Sequence, residues 1–184
     1  MSSEPSLQHR IRPLKLLAFD VDGVMTDGGI VYGDGGVEFK RFNVHDGAGF
    51  ALARAAGLKL AMITGRQSEA VQRRAEELKV DEIFQGSGDK LLIIKSLCRK
   101  YDISPEGIMF VGDDLVDLSA MKFVGFAAAP SDAREEARVA AHYVTTSRGG
   151  HGAVREIIDL VLKTQDIWEK AVDGYLNRTT DGRQ

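Results

Sequence analysis

The sequence predicts an α/β fold, a central parallel sheet flanked by helices, on three observations. Apolar runs at Leu16 to Phe19, Leu58 to Ile63 and Ile108 to Val111 have the length of strands covered on both faces. Each stops abruptly at polar residues: Asp20 to Gly23, Thr64 to Arg66, and Gly112 to Asp114. Helix-length segments separate the runs, as crossovers between parallel strands require.

The bounds are those of one ordinary domain, since 184 residues can bury a sizeable core but are short for two. Hydrophobic residues make up 43% and charged residues 28%, a globular balance. Net charge is −3 without a basic run, which gives no support for a nucleic-acid or anionic-membrane partner. The single cysteine, Cys98, excludes an internal disulfide and suits a cytoplasmic setting. With Leu91 and Ile94 it shares one helix face, which suits a core residue better than a nucleophile. No apolar stretch approaches the roughly 20 residues of a membrane span, and Met1 to Arg12 lacks a signal-peptide core. Residues 1–13 read as a flexible arm, 14–172 as the domain and 173–184 as a tail.

The first run carries the densest chemistry, LLAFDVDGVMTD over Leu16 to Asp27. In an open α/β sheet the ligand crevice lies beyond the carboxyl ends of the strands, which places Asp20 and Asp22 there. Carboxylates this close repel unless a cation or proton sits between them. A hard divalent ion that pairs with phosphate, magnesium above all, meets that need. An aspartate can also attack phosphorus and carry it covalently. An Asp-Gly turn needing no chemistry fits this segment equally well.

Next, Ile30 to Tyr32 and Val37 to Phe42 flank a GDGG turn, a β-hairpin spanning about residues 28–43. It is a small flap, not a cap domain. Asp46 can cap a helix from Gly47 to Ala56, which Gly57 ends. After the second strand, Thr64 and nearby amides such as Gly65 suit a phosphate, or merely a helix start over Ser68 to Leu78. Arg66 in that first turn opposes the helix dipole, which favours an anion facing it. The same holds for Lys90, which opens a helix after a short strand at Glu82 to Gln85.

The strand Ile108 to Val111 ends in GDDLVD, with Asp113, Asp114 and Asp117. Two apolar strands that each end in clustered acids are hard to explain without a cation. Neighbouring parallel strands would set Asp113 opposite Asp20 and Asp22. The positions after Asp20 do not fit a calcium loop, and no dinucleotide or GxxxxGK[ST] signature occurs. A fifth strand at Gly125 to Ala128, a helix from Ser131 to Ala140 and an edge strand at Tyr143 to Thr145 follow. SRGGHGAVRE reads as a mobile loop before a helix from about Ala153 to Trp168. That helix is apolar over too broad an arc for one surface face, so burial or a subunit contact should cover it. The polar end, Asn177 to Gln184, reads as frayed.

DVDG with Thr26, then Thr64, Lys90 and GDDLVD, in that order and each at a strand end or helix start, resembles the haloacid dehalogenase superfamily of phosphatases. The resemblance covers roughly Leu16 to Leu162 and implies a three-layer Rossmann-like fold without a cap. The hairpin, VxDGxG at Val44 to Gly49 and GGxGAVRE resemble, more closely, its capless tetrameric branch, which acts on sugar-acid phosphates in lipopolysaccharide synthesis. The resemblance implies Asp20 as nucleophile and Asp22 as acid then base. It also implies Asp20, the Asp22 carbonyl and Asp113 as magnesium ligands, with Asp114 and Asp117 in support. Thr64, Gly65, Arg66 and Lys90 would bind the phosphate, and Lys90 would also act in catalysis by holding Asp20 in place and stabilising developing charge. An eight-carbon octulosonate 8-phosphate is the leading substrate, and a nine-carbon sialic-type 9-phosphate or a silent metal-binding module are the alternatives. The branch usually has arginine at His45 and His151 and tyrosine at Ala48, departures that bear on the sugar. A homotetramer is implied, with Gly149 to Gly152 folding over a site to order around the sugar.

Overall fold

The computed structural model describes residues 5–180. Six parallel strands form the central sheet in the order β5-β4-β1-β6-β7-β8. They are β1 (Leu16–Phe19), β4 (Lys59–Ile63), β5 (Glu82–Phe84), β6 (Ile108–Val111), β7 (Phe126–Ala129) and β8 (Tyr143–Val144). A separate two-stranded hairpin, β2 (Val31–Tyr32) and β3 (Glu38–Phe39), stands on the loop after β1. The expected three-layer α/β architecture is therefore present, and the hairpin takes the place of a cap.

Pleating explains why the strands are apolar throughout. Leu17 and Phe19 of β1 enter one core, while Leu16 and Ala18 enter the other. The first core lies under α1 (Leu7–Ile11), α2 (Val44–Ala56), α3 (Glu69–Leu78), α7 (Ala153–Thr164) and α8 (Trp168–Thr180). The second lies under α4 (Lys90–Tyr101), α5 (Leu118–Met121) and α6 (Glu135–Ala140). In register, Phe19 of β1 sits between Met62 of β4 and Val111 of β6. The residues that follow those three therefore emerge side by side.

Several local expectations need correction. The arm expected over residues 1–13 contains α1, whose Ile11 is fully buried and whose end is held by Gln165 Nε2 donating to the Ile11 carbonyl at 2.9 Å; residues 1–4 lie outside the described part. Asp46 does not cap α2. Asn43 does, accepting the His45 amide at 2.7 Å, and the helix starts three residues earlier than expected, at Val44. Asp46 is buried and instead accepts the Arg155 amide of α7 at 2.8 Å, because its position one turn into α2 faces that helix end. The helix expected from about Ala153 to Trp168 is α7, which ends earlier, at Thr164; after Asp166 in a left-handed conformation, φ 57°, a further helix, α8, starts at Trp168. The apolar arc of α7 packs chiefly against α2, and Ile157, Ile158, Val161 and Leu162 are fully buried, so no subunit contact is needed to cover it. α8 also takes up most of the expected tail; of its polar end, residues 181–184 lie outside the described part. α6 begins at Glu135 rather than Ser131, since the Arg134 amide is drawn to the Asp113 carbonyl at 2.8 Å.

The stretch that reads as a mobile loop is held from both ends. Gly150 donates to the Val24 carbonyl at 2.9 Å, and a Cβ on Gly149 would stand 1.9 Å from the Gly23 carbonyl oxygen. Only glycine permits this backbone-on-backbone approach. Glu156 of α7 fixes the preceding turn by accepting both the amide and the hydroxyl of Thr146 and the amide of Ser147, all within 3.0 Å. Desolvation works against its charge, but these donors outweigh it and hold the carboxyl at about 2, below its ordinary 4.5. A depressed folded value contributes stability above pH 4.5 that is lost as pH falls toward 2. Glu156→Gln should therefore cost roughly 1 kcal/mol at pH 7 after screening by solvent. The gap to the parent should narrow by pH 3 and close only near pH 2, which urea unfolding at pH 7 and at these lower values measures.

Candidate active site

The site forms where β1, β4 and β6 end together. The Asp20 amide donates to the Val111 carbonyl at 2.9 Å, which carries the β1–β6 pairing one residue past the strand. The Asp20 side chain folds back, and Oδ1 accepts the Val21 amide at 2.7 Å. Its other oxygen lies 2.8 Å from Lys90 Nζ. Gly23 turns the chain away at φ 83°, and its missing side chain leaves room for Asp113, whose Oδ2 would lie 2.0 Å from a Cβ. Asp20, Asp22, Thr64, Gly65, Arg66, Lys90 and Asp113 line one open cavity of about 340 Å³.

Lys90 opens α4, next to the capping Asp89, yet only 3% of its side chain is exposed. It is no solvated lysine. It bridges Asp20 and Asp117, and Asp117 is wholly buried. The second Asp117 oxygen accepts the amides of Asp113 and Asp114 at 2.9 and 3.1 Å. Asp117 thus folds the GDDLVD turn and anchors Lys90, with both oxygens occupied. Asp114 points outward and caps the short turn that follows.

The electrostatics call for more positive charge than Lys90 supplies. Burial pushes Asp20 up to about 6, against the pull of Lys90. Burial, with repulsion from Asp20 and Asp117, pushes Asp113 up to about 8. Desolvation works against the Lys90 charge too, but the two aspartates outweigh it and raise Lys90. Oxygens of Asp20, Asp113 and Asp117 lie within 4.8 Å of one another. A divalent cation fits this donor set, because it would restore the charged form of acids that otherwise resist ionising. Asp117 is spent on Lys90 and two amides, so Asp20 and Asp113 are the side chains left to hold such an ion.

The remaining predicted residues divide. Thr64 is buried at the end of β4, where its hydroxyl accepts the Arg66 amide at 3.2 Å, with Gly65 between them on the cavity wall. Arg66 lines the cavity, but its guanidinium is engaged by Glu38 at 2.9 Å and Tyr32 at 3.1 Å, both on the hairpin. Asp22 is not in the acid cluster. Its carboxylate turns to Lys40, which also meets Glu38 at 3.2 Å. Sequence reasoning missed Lys40. The available signal was alternation: in VEFK, Glu38 and Lys40 share one face of β3 and its extension, and Val37 and Phe39 the other. His45 and His151 are both exposed, and the His151 ring bonds to the nearby Gly149 carbonyl at 3.0 Å.

Comparison with known proteins agrees with this geometry. The model of haloacid dehalogenase-like hydrolases matches residues 81–157. A 3-deoxy-D-manno-octulosonate 8-phosphate phosphatase of Yersinia pestis is 42% identical over 162 residues, 88% of this chain and 87% of its own. The enzyme of that name from Escherichia coli K12 is 42% identical over 158 residues, covering 86% and 84%. Among solved structures, the Moraxella catarrhalis phosphatase of the same name superposes with a TM-score of 0.88 at 40% identity. It covers 91% of this chain and 97% of its own, and was crystallised with magnesium, phosphate and KDO.

Proposed function

This chain belongs to the 3-deoxy-D-manno-octulosonate 8-phosphate phosphatases, among the haloacid dehalogenase-like hydrolases, and from that membership we propose how its residues hydrolyse the phosphomonoester. It is a magnesium-dependent enzyme that releases phosphate and 3-deoxy-D-manno-octulosonate in lipopolysaccharide sugar synthesis. The observation that carries the mechanism is Asp20, backed by the buried Lys90 and faced by Asp113, on the floor of an open cavity.

Asp20 attacks phosphorus in line with the sugar oxygen, forming an aspartyl-phosphate as the P–O bond to the sugar breaks. Asp22 gives its proton to the departing oxygen. It then takes one from water, which attacks the same phosphorus and frees Asp20 and inorganic phosphate. The Thr64 hydroxyl, the Gly65 amide and Lys90 receive the phosphoryl oxygens, and Lys90 also keeps Asp20 aimed. Magnesium, held by Asp20, Asp113 and the Asp22 carbonyl, supplies charge neutralisation for the transferring group. Arg66, on the cavity wall and tied to the hairpin by Glu38 and Tyr32, offers its remaining guanidinium donors to the phosphate ester.

The substrate test is magnesium-dependent phosphate release from 3-deoxy-D-manno-octulosonate 8-phosphate beside a sialic-type 9-phosphate. The octulosonate should be preferred at least tenfold, and chelation should abolish release. Preference for the nine-carbon ester would show that His45, Ala48 and His151 mark a changed sugar.

A homotetramer completes the reading. Ile30, Val31, Tyr32, Val37 and Phe39 of the hairpin are each about half exposed, a patch too apolar to face water alone. The cavity beside it is open where a cap would close it. Sedimentation should give four chains per particle, and Phe39→Asp with Val31→Asp should give smaller species. Gly149 and Gly150 pack against Gly23 and Thr26 of the same chain, and in this reading Gly149 to Gly152 cover a site in the tetramer and order around the sugar. A cytoplasmic location suits the absence of any helix, among the described residues, long and apolar enough to cross a membrane.

A further inference from the structure

Two lysines divide the two catalytic aspartates. Lys90, from the start of α4, takes Asp20. Lys40, just past β3, takes Asp22 and has no exposed side-chain surface at all, although the hairpin around it is largely open. An ammonium removed from water persists only among anions that compensate it, and here these are Asp22 and Glu38. Glu38 in turn holds Arg66 at 2.9 Å. A run of ion pairs thus ties Asp22, through two hairpin residues, to the loop after β4. Lys40 is the hydrogen-bond partner of the Asp22 carboxylate among the described residues. Without it Asp22, 24% exposed, would be free to rotate into solvent.

We propose that Lys40 is a positioning residue for the reaction: docked with the hairpin, it holds the Asp22 carboxylate in the orientation its proton transfers need. The flap would then contribute to chemistry as well as to enclosure. The inference rests on the assignment of Asp22 as acid and base.

The experiment compares two esters on the full-length magnesium enzyme. The leaving oxygen of 3-deoxy-D-manno-octulosonate 8-phosphate needs a proton, whereas p-nitrophenolate leaves without one. A residue that orients the acid should therefore matter in the first half-reaction for the sugar ester alone. Lys40→Met should slow enzyme phosphorylation by the sugar ester about 10- to 100-fold, within the range general acid catalysis supplies. The rate of the nitrophenolate burst should change less than about threefold. Lys40→Arg, which keeps the charge but shifts it, should lose less with the same selectivity. Equal loss on both esters, or no loss, would overturn the proposal. If Lys40→Met fails to fold, Lys40→Arg decides by the same pattern. Asp22→Asn run alongside separates the premises: undiminished sugar-ester phosphorylation there would remove the assignment of Asp22 itself.

Discussion

Asp20→Asn will release phosphate from 3-deoxy-D-manno-octulosonate 8-phosphate on the order of 10⁴- to 10⁶-fold more slowly than the parent, the scale on which removal of a covalent nucleophile acts. The amide is nearly isosteric and can still accept the Val21 amide through its carbonyl oxygen, so the loop after β1 keeps its shape. What disappears is a charged oxygen able to bond phosphorus. Removing one carboxylate from a cluster packed within 4.8 Å also relieves repulsion, so the variant should melt no lower than the parent without magnesium. Inactivity with undiminished stability distinguishes a lost nucleophile from a damaged fold. Residual turnover above about 1% of the parent would place the nucleophile elsewhere.

Lys90→Met should have the next largest effect, and it should lower stability as well. The lysine is 3% exposed, and its loss leaves Asp20 and Asp117 buried without their shared countercharge. Breaking a buried pair by deleting one partner costs about 3–5 kcal/mol. Turnover should fall about 10²- to 10³-fold, the worth of one preorganised donor at developing charge. Saturating magnesium should recover part of the stability, because the ion supplies charge to the same acids, but not the rate. Full recovery of rate with magnesium would reduce Lys90 to a structural counterion.

The residues that make the site were legible because backbone topology places them. Asp20, Thr64 and Asp113 follow apolar strands, and adjacent parallel strands in register deliver their ends to one line. Lys90 was legible by its odd placement at a helix start, which suggested a phosphate or carboxylate partner, and the family resemblance implied that it holds Asp20 in place, as it does. Asp46 shows where local reasoning fails: it has the right chemistry for a cap and serves as one, but for α7, more than a hundred residues on. Asn43 had taken the nearer helix. Gly149 and Gly150 looked like freedom, yet their lack of side chains is used for contact with Gly23 and Thr26. The break between α7 and α8 had no glycine or proline to announce it, since Asp166 takes the left-handed conformation itself. Lys40 was hidden by the hairpin's exposure, because burial of one side chain on an open element depends on where the element docks.

The central claim is a covalent phosphoryl group on Asp20, and trapping it tests that claim most directly. The enzyme would be quenched with borohydride during turnover of the octulosonate ester, which reduces an aspartyl-phosphate to homoserine, and the peptide spanning Leu16 to Asp27 would be sequenced by mass spectrometry. Homoserine at position 20, absent without substrate and absent from Asp20→Asn, is the predicted result. Phosphate release with an unreduced Asp20, or homoserine at position 22 or 113, would contradict it.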